Sequence, residues 1–191
     1  MIDDILIFDD IIDKKLQDSI ENKLLSDSFP WYYCDDVSIK GNKLQKRPGF
    51  KHHTVLNREV RSKFHNEIIP IIINSLKKVN YKSPELVKIL QGRSFLQLPL
   101  NLSDADTVDT PHIDLKYPHL VILYYVVDNE ANTIIYENKF KKGNIPTWKD
   151  LKIQQKVKPK KGRVVVFSGE HWHTAEQPRE NVRCIINYDV V

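Results

Sequence analysis

Two short stretches hold residue types that could bind a metal and act on a small molecule. TPHID sets His112 and Asp114 two residues apart, just ahead of a strand-like run. In extended backbone both side chains then point to one face. FSGEHWHTAEQP, directly after the strand-like GRVVVF, offers His171 and His173. These two share strand parity, so alternation does not separate them. Arg183 follows in VRCIINYDV, ten residues beyond His173. Two imidazoles and one carboxylate on a common face suit Fe(II) and leave three coordination positions open. Open positions are what chemistry with a keto acid and dioxygen requires. A His-x-Asp triplet alone is a weak signal. Joined to a distal histidine after a strand and an arginine beyond it, the signal is much stronger.

The elements that must position these residues fall into two kinds. Asp13 to Leu25 has apolar residues at 16, 20, 24 and 25, an amphipathic spacing with Asp13 as the cap. Asn57 to Val79 reads as a second helix, with Val60, Phe64, Ile68, Ile71 and Ile72 on one side and Pro70 expected to kink or divide it. FPWYYCDDVSIKGNKLQKRPGFKHH between them reads as loop and short strands. From about Ser94 the signal becomes FLQLPL, HLVILYYVV, NTIIYE, GRVVVFS and VRCIINYDVV, short runs rich in β-branched and aromatic residues. Lys139 to Lys152 reads as a surface excursion. The order predicts an α+β, mainly β fold, with helices packed on a sandwich or barrel. One domain over 1–191 is expected, with 1–92 a mainly helical support region and 93–191 the strand-rich core.

Composition bounds the rest. The 191 residues are 41% hydrophobic and 28% charged, enough for one sizeable core. No apolar run approaches the ~18–20 residues of a membrane span. MIDDILIFDDIID lacks the basic start and apolar run of a signal peptide. Cys34 and Cys184 provide no disulfide framework and read as reduced thiols of a cytoplasmic protein. The net charge of +4 is mostly scattered lysine. KFKK at 139–142 and KPKKGR at 158–163 lack interleaved aromatics, so they read as solvated loop and turn rather than a nucleic-acid groove. Nothing in the pattern specifies an oligomeric state.

PHIDLKYPHLVILYYVVDNEANTIIYE and VKPKKGRVVVFSGEHWHTAEQPRENVRCIINYDV resemble the 2-oxoglutarate/Fe(II)-dependent dioxygenases. The likeness is nearest to the prolyl-hydroxylase-like group, including small phage-type members, and covers residues 93–191. FPWYY and GFKHH are similar to the phage-type members more loosely. The resemblance implies a double-stranded β-helix, or jelly roll, with supporting N-terminal helices. It implies Fe(II), 2-oxoglutarate and O2 as cofactor and cosubstrates, and the cytoplasm, of a host if viral, as location.

Residue by residue, His112, Asp114 and His173 match the three iron ligands, and Arg183 matches the residue that pairs with the distal carboxylate of 2-oxoglutarate. A guanidinium suits that task because it grips a carboxylate with a two-pronged fork. The spacing to Arg183 and the HTAEQP context favour His173 over His171. Tyr125 sits where related hydroxylases place a tyrosine against the same carboxylate, and packing in the core is an equal alternative. Gln97 falls near a polar position facing the cosubstrate. Thr133 takes the place of the threonine in a Gly-Gly-x-Thr turn, whose glycines this chain lacks.

Plainer roles are open for several of these groups. Arg183 could pair with Asp189 or Glu176. Trp31, Tyr32 and Tyr33 read as packing, His53 as surface or a neighbour of the site, and Cys184 as an inert packed thiol. Arg93 could reach the open end of the barrel. The resemblance implies hydroxylation of a substrate C–H, with a peptidyl proline of a partner polypeptide expected and succinate and CO2 released. Nucleic-acid base demethylation, with Arg179 as a poor candidate for its second arginine, is the alternative oxygenase reading. A cupin-like metal-binding module is the alternative outside that chemistry.

Overall fold

The computed structural model describes residues 2, 4–38, 45–101, 107–142 and 146–191. Its elements in chain order are β1 (Leu6–Phe8), α1 (Lys14–Leu24), β2 (Tyr32–Cys34), β3 (Gly49–Leu56), β4 (Glu59–Val60), α2 (His65–Lys78), β5 (Ile89–Gln97), β6 (Leu120–Tyr125), β7 (Thr133–Lys139), β8 (Ile153–Val157), β9 (Val164–Ser168), β10 (His171–Ala175) and β11 (Arg183–Val190). The large antiparallel sheet runs β1-β9-β6-β11-β5-β3-β2, with β4 beside β3. A smaller sheet runs β10-β7-β8. The two sheets with helices on one side make the expected mainly β jelly roll.

The uninterrupted apolar run of β6 shows why the large sheet is central. A strand buried on both faces needs no polar alternation. Its Leu120, Ile122 and Tyr124 pack toward the helices, with Ile20, Leu24, Ile68, Ile72 and Leu76. Val121, Leu123 and Tyr125 pack between the sheets with Ile135, Val157, Val165, Phe167 and Ile185. Each fully buried Leu, Ile or Val contributes ~1.5–3 kcal/mol of transfer free energy. Helix α1 starts as read: the Asp13 carboxylate accepts from the Leu16 N–H at 2.8 Å.

Three expectations need correction. The second helix begins at His65, not Asn57. Asn57 and Arg58 take left-handed backbone, with φ of 52° and 66°, and turn β3 into β4, leaving Val60 exposed. A helical apolar spacing thus continued by chance through a hairpin. Pro70 does not divide α2, which runs through it to Lys78. Proline forfeits one bond and crowds the carbonyl four residues back, at about 3 kcal/mol. Burial of Ile68, Ile71 and Ile72 at 0–1% exposure offsets that cost.

The region 1–92 is also less helical than read, since β1, β2, β3 and β4 all join the large sheet. Within the stretch between the helices, β2 and β3 are the anticipated short strands, and residues 39–44 lie outside the described residues. Lys139–Lys152 leads into β8, which the sequence did not signal. Its Ile153 is half exposed, so β8 shows no apolar stripe.

The basic run 158–163 holds the N-terminal segment in place. Arg163 and Lys160 bind Asp9 at 2.7 and 2.8 Å, and Lys161 binds Asp18 at 2.5 Å and Glu21. These cations dock β1 and α1 against the turn before β9. Among the described residues no helix is long and apolar enough to cross a membrane.

Candidate active site

The segment ahead of β6 lies alongside β10 and brings the two histidine-bearing stretches together. His112 N–H donates to the His173 carbonyl at 2.9 Å, and His173 N–H donates to the His112 carbonyl at 2.9 Å. Directly opposed residues in such a pair put their side chains on the same face. The imidazole centres are accordingly 4.6 Å apart. Asp114 joins them, its carboxylate 3.4 Å from His173 Nε2 and 4.0 Å from His112 Nε2. One donor atom from each of the three lies within 4.8 Å of the others.

The tautomers follow from the hydrogen bonds. His112 Nδ1 lies 3.1 Å from the Thr110 carbonyl, and His173 Nδ1 lies 3.1 Å from the His171 carbonyl. A carbonyl only accepts, so each Nδ1 holds the proton and each Nε2 turns its lone pair to the cluster. Burial and the neighbouring His173 push His112 down to about 4, which leaves it neutral at neutral pH. Burial works to raise the Asp114 carboxyl. The Arg93 guanidinium outweighs it and holds the group well below the usual carboxylate range. Two imidazole nitrogens and an ionised carboxylate form a donor set that fits a divalent iron centre.

Asp114 is fixed from behind by the large sheet. Arg93 Nη2 donates to it at 2.7 Å and to Asp189 at 2.9 Å, and Asn187 Nδ2 donates to it at 3.2 Å. Arg93 and Asn187 are directly paired across β5 and β11. Asp114, His119 and Asp189 also bring donor atoms within 4.8 Å. There the Arg93 guanidinium already supplies the cation between the two carboxylates.

Arg183 lies deeper, at the far end of the cavity that the histidines border. It is 2% exposed. Its Nη1 donates to Gln97 Oε1 at 2.6 Å and its Nη2 to Thr133 Oγ1 at 2.8 Å. The expected alternative partners are absent: Asp189 is bound to Arg93, and Glu176 to Lys156 and Asn132. Among the described residues no carboxylate lies within ion-pair distance of Arg183, and its Nε has no partner. Burial lowers the Arg183 pKa, opposed by Tyr125 and Asp109. Such a charge calls for an anion.

Tyr125 reaches this end of the cavity through another residue. Its hydroxyl donates to Thr133 Oγ1 at 2.7 Å, and Arg183 Cζ lies 6.0 Å from its ring. Burial pushes the phenol up to about 12, so it remains a neutral donor. The cavity is lined by Gln97, Thr133, Arg183 and the three metal-type donors.

Other candidates fall elsewhere. His171 turns its Nδ1 to the Tyr136 carbonyl at 2.7 Å and stands outside the cluster. A register shift between His171 and His173 undoes their shared parity. Trp31 packs as read, its indole donating to the Leu24 carbonyl at 2.8 Å. Tyr32 and Tyr33 do not, being 63% and 66% exposed at the sheet edge. His53 pairs with Arg93 across β3 and β5 and is half-buried. Cys184 is buried, and burial pushes its thiol up.

Sequence reasoning passed over Asp109, Arg47 and Gln177. Asp109 is buried, 3.0 Å from Arg47 Nε, with Gln177 Nε2 2.9 Å from both of its oxygens. The nearest signal was the carboxylate three residues before His112.

None of the protein-family models and none of the curated proteins matches the sequence. Solved structures do match. The non-haem α-ketoglutarate-dependent epimerase SnoN of nogalamycin biosynthesis is 10% identical, with a TM-score of 0.68 over 99% of this chain and 78% of its own. A 2OG-Fe(II) oxygenase-family oxidoreductase from Burkholderia pseudomallei is 12% identical, with a TM-score of 0.62 over 97% and 84%. The prolyl hydroxylase of Trichoplax adhaerens, in complex with a peptide fragment of the hypoxia inducible factor oxygen degradation domain, is 13% identical, with a TM-score of 0.61 over 97% and 82%. The fold of this chain is that of the 2-oxoglutarate/Fe(II) oxygenases.

Proposed function

We propose that the protein, as one domain over residues 1–191, is an Fe(II)- and 2-oxoglutarate-dependent oxygenase. His112, Asp114 and His173 would hold the iron. Arg183, assisted by Gln97 and by Thr133 with Tyr125 behind it, would hold the distal carboxylate of 2-oxoglutarate. Bound iron and cosubstrate supply the oxidation of a substrate C–H by dioxygen, with release of succinate and CO2. The observation that carries this reading is the buried, unneutralised Arg183 in the same cavity as the three converged donors.

The chain's own part is to bind, orient and exclude water. The carbonyls of Thr110 and His171 keep both Nε2 lone pairs aimed inward. Arg93 and Asn187 fix the carboxylate. Thr133 and Gln97 spread the Arg183 fork without cancelling its charge. Leu123 and Ile185 give the cavity apolar walls, where electrostatic contacts are stronger than in water.

The substrate we propose is a proline in a partner polypeptide. Its support is the likeness to a prolyl hydroxylase that binds a peptide. The basic run 158–163 is engaged with Asp9, Asp18 and Glu21, which counts against a nucleic-acid substrate there. Anaerobic titration of the purified chain with Fe(II) and 2-oxoglutarate tests the cofactor assignment. Admission of air should then yield succinate even without substrate. A chain that consumes no oxygen with the keto acid would be a metal-binding module instead. Peptide-library screening for a mass gain of one oxygen tests the proline assignment.

A further inference from the structure

The carboxylate of Asp109 is surrounded by donors. Arg47, 0% exposed, gives its Nε–H to Oδ1 at 3.0 Å, Gln177 gives its amide N–H groups at 2.9 Å, and Gln97 Nε2 lies 3.3 Å from Oδ2. The backbone beneath is held as well, because Thr174 Oγ1 donates to the Asp109 carbonyl at 2.7 Å and Asp109 N–H donates to Ala175 at 2.9 Å.

Gln97 stands between two groups of opposite demand. An ionised carboxylate only accepts and a guanidinium only donates. Asp109 therefore requires the NH2 end of the Gln97 amide, and Arg183 Nη1 receives the carbonyl end at 2.6 Å. The reverse orientation would set NH2 against N–H and oxygen against carboxylate. Asp109 forms its ion pair with Arg47 at 3.0 Å and acts on Arg183 only at longer range.

We propose that Asp109 is a positioning residue for the anion-binding end of the cavity. It locks the amide orientation of Gln97, and Gln97 fixes the Arg183 fork while leaving its positive charge for a bound dicarboxylate. This rests on the reading of Arg183 as the anchor of 2-oxoglutarate.

The test is calorimetric titration of 2-oxoglutarate into the Mn(II)-loaded full chain, which binds without turnover. Asp109→Asn allows either amide orientation and should raise the 2-oxoglutarate Kd about tenfold, the cost of one mispaired buried hydrogen bond. In a Gln97→Leu background the same change should cost no more than about twofold, because residues acting through one another are non-additive. The Mn(II) Kd should hold within about twofold in every variant, a separation that general loosening of the fold would not give. Asp109→Asn with unchanged 2-oxoglutarate affinity overturns the proposal, as does an undiminished loss in the Gln97→Leu background. Should Asp109→Asn fail to fold because the buried Arg47 charge loses its carboxylate, Arg47→Gln/Asp109→Asn removes both buried charges and is measured in the same two backgrounds. A native chain that binds Mn(II) but no 2-oxoglutarate overturns the anchor reading itself, which is a separate result.

Discussion

His112 and His173 hold each other by two backbone hydrogen bonds, so the two imidazoles converge through the main chain rather than through side-chain packing. The geometry of the cluster is therefore set before any metal arrives. Asp114→Ala and His173→Ala should each leave this backbone pair intact and remove one donor. Metal affinity should fall at least about a hundredfold, beyond the ~10–100-fold cost of losing an outer partner. His171→Ala should keep its metal, since His171 turns to the Tyr136 carbonyl instead. Iron content of protein purified after reconstitution reads all three variants. Metal lost from His171→Ala and kept in His173→Ala would exchange the two assignments.

Arg183→Met is expected to separate function from stability. The guanidinium is buried against two neutral oxygens, so its desolvation is only partly offset. An apolar side chain of similar length removes that burden, and such replacements of buried charge are often neutral or stabilising. The 2-oxoglutarate Kd should nevertheless worsen by the ~2–5 kcal/mol of a broken buried charge pair. Melting curves and cosubstrate titrations on the same preparation check both halves. A clear drop in Tm with affinity retained would make Arg183 a structural residue.

How much of this site the sequence held can be seen residue by residue. His112 and Asp114 could be read as a pair because strand alternation and their two-residue spacing carry them, whereas Arg183 was picked out by its place ten residues beyond His173 and by the family resemblance. Alternation could not choose between His171 and His173, since the irregularity in β10 that separates them breaks it, and only the spacing to Arg183 and the HTAEQP context favoured His173. The Asp109–Arg47 pair was invisible for another reason: its partners come from distant segments and follow no local period. Helix α2 was misplaced at its start because apolar positions of the β3–β4 hairpin happened to continue its spacing. Strand β8 went unread because its middle residues, Gln154, Gln155 and Lys156, are exposed and polar.

Gly169 marks a close approach that any side chain would obstruct. A Cβ there would lie 2.0 Å from Nε2 of His119, a fully buried ring whose Nδ1 is held by the Tyr117 carbonyl at 2.7 Å. The ring cannot withdraw without leaving that bond, and Asp189 lies 3.7 Å beyond it. Gly169→Ala should destabilise the fold by ~1–3 kcal/mol, as overpacking does. Urea denaturation measures this directly. A midpoint equal to that of the native chain would show that His119 has room to move.

The docking of the N-terminal strand predicts a pH dependence of known sign. Hydrogen bonds from Arg163 and Lys160 lower the Asp9 carboxyl to about 2 from its ordinary 3.8. A carboxylate depressed by folding releases its proton more readily in the native state. It therefore adds stability above pH ~4, and the contribution fades as pH falls from there toward 2. Asp9 is partly exposed and solvent screens the contact, so the effect should remain below ~1 kcal/mol. Asp9→Asn should accordingly be slightly less stable than the native chain at pH 7, with the two curves converging near pH 2. High salt should narrow the gap at pH 7 as well, because it screens an exposed pair. Denaturant midpoints taken at several pH values would show this, and a gap that widened on acidification would contradict the assignment of Arg163 and Lys160 as the cause.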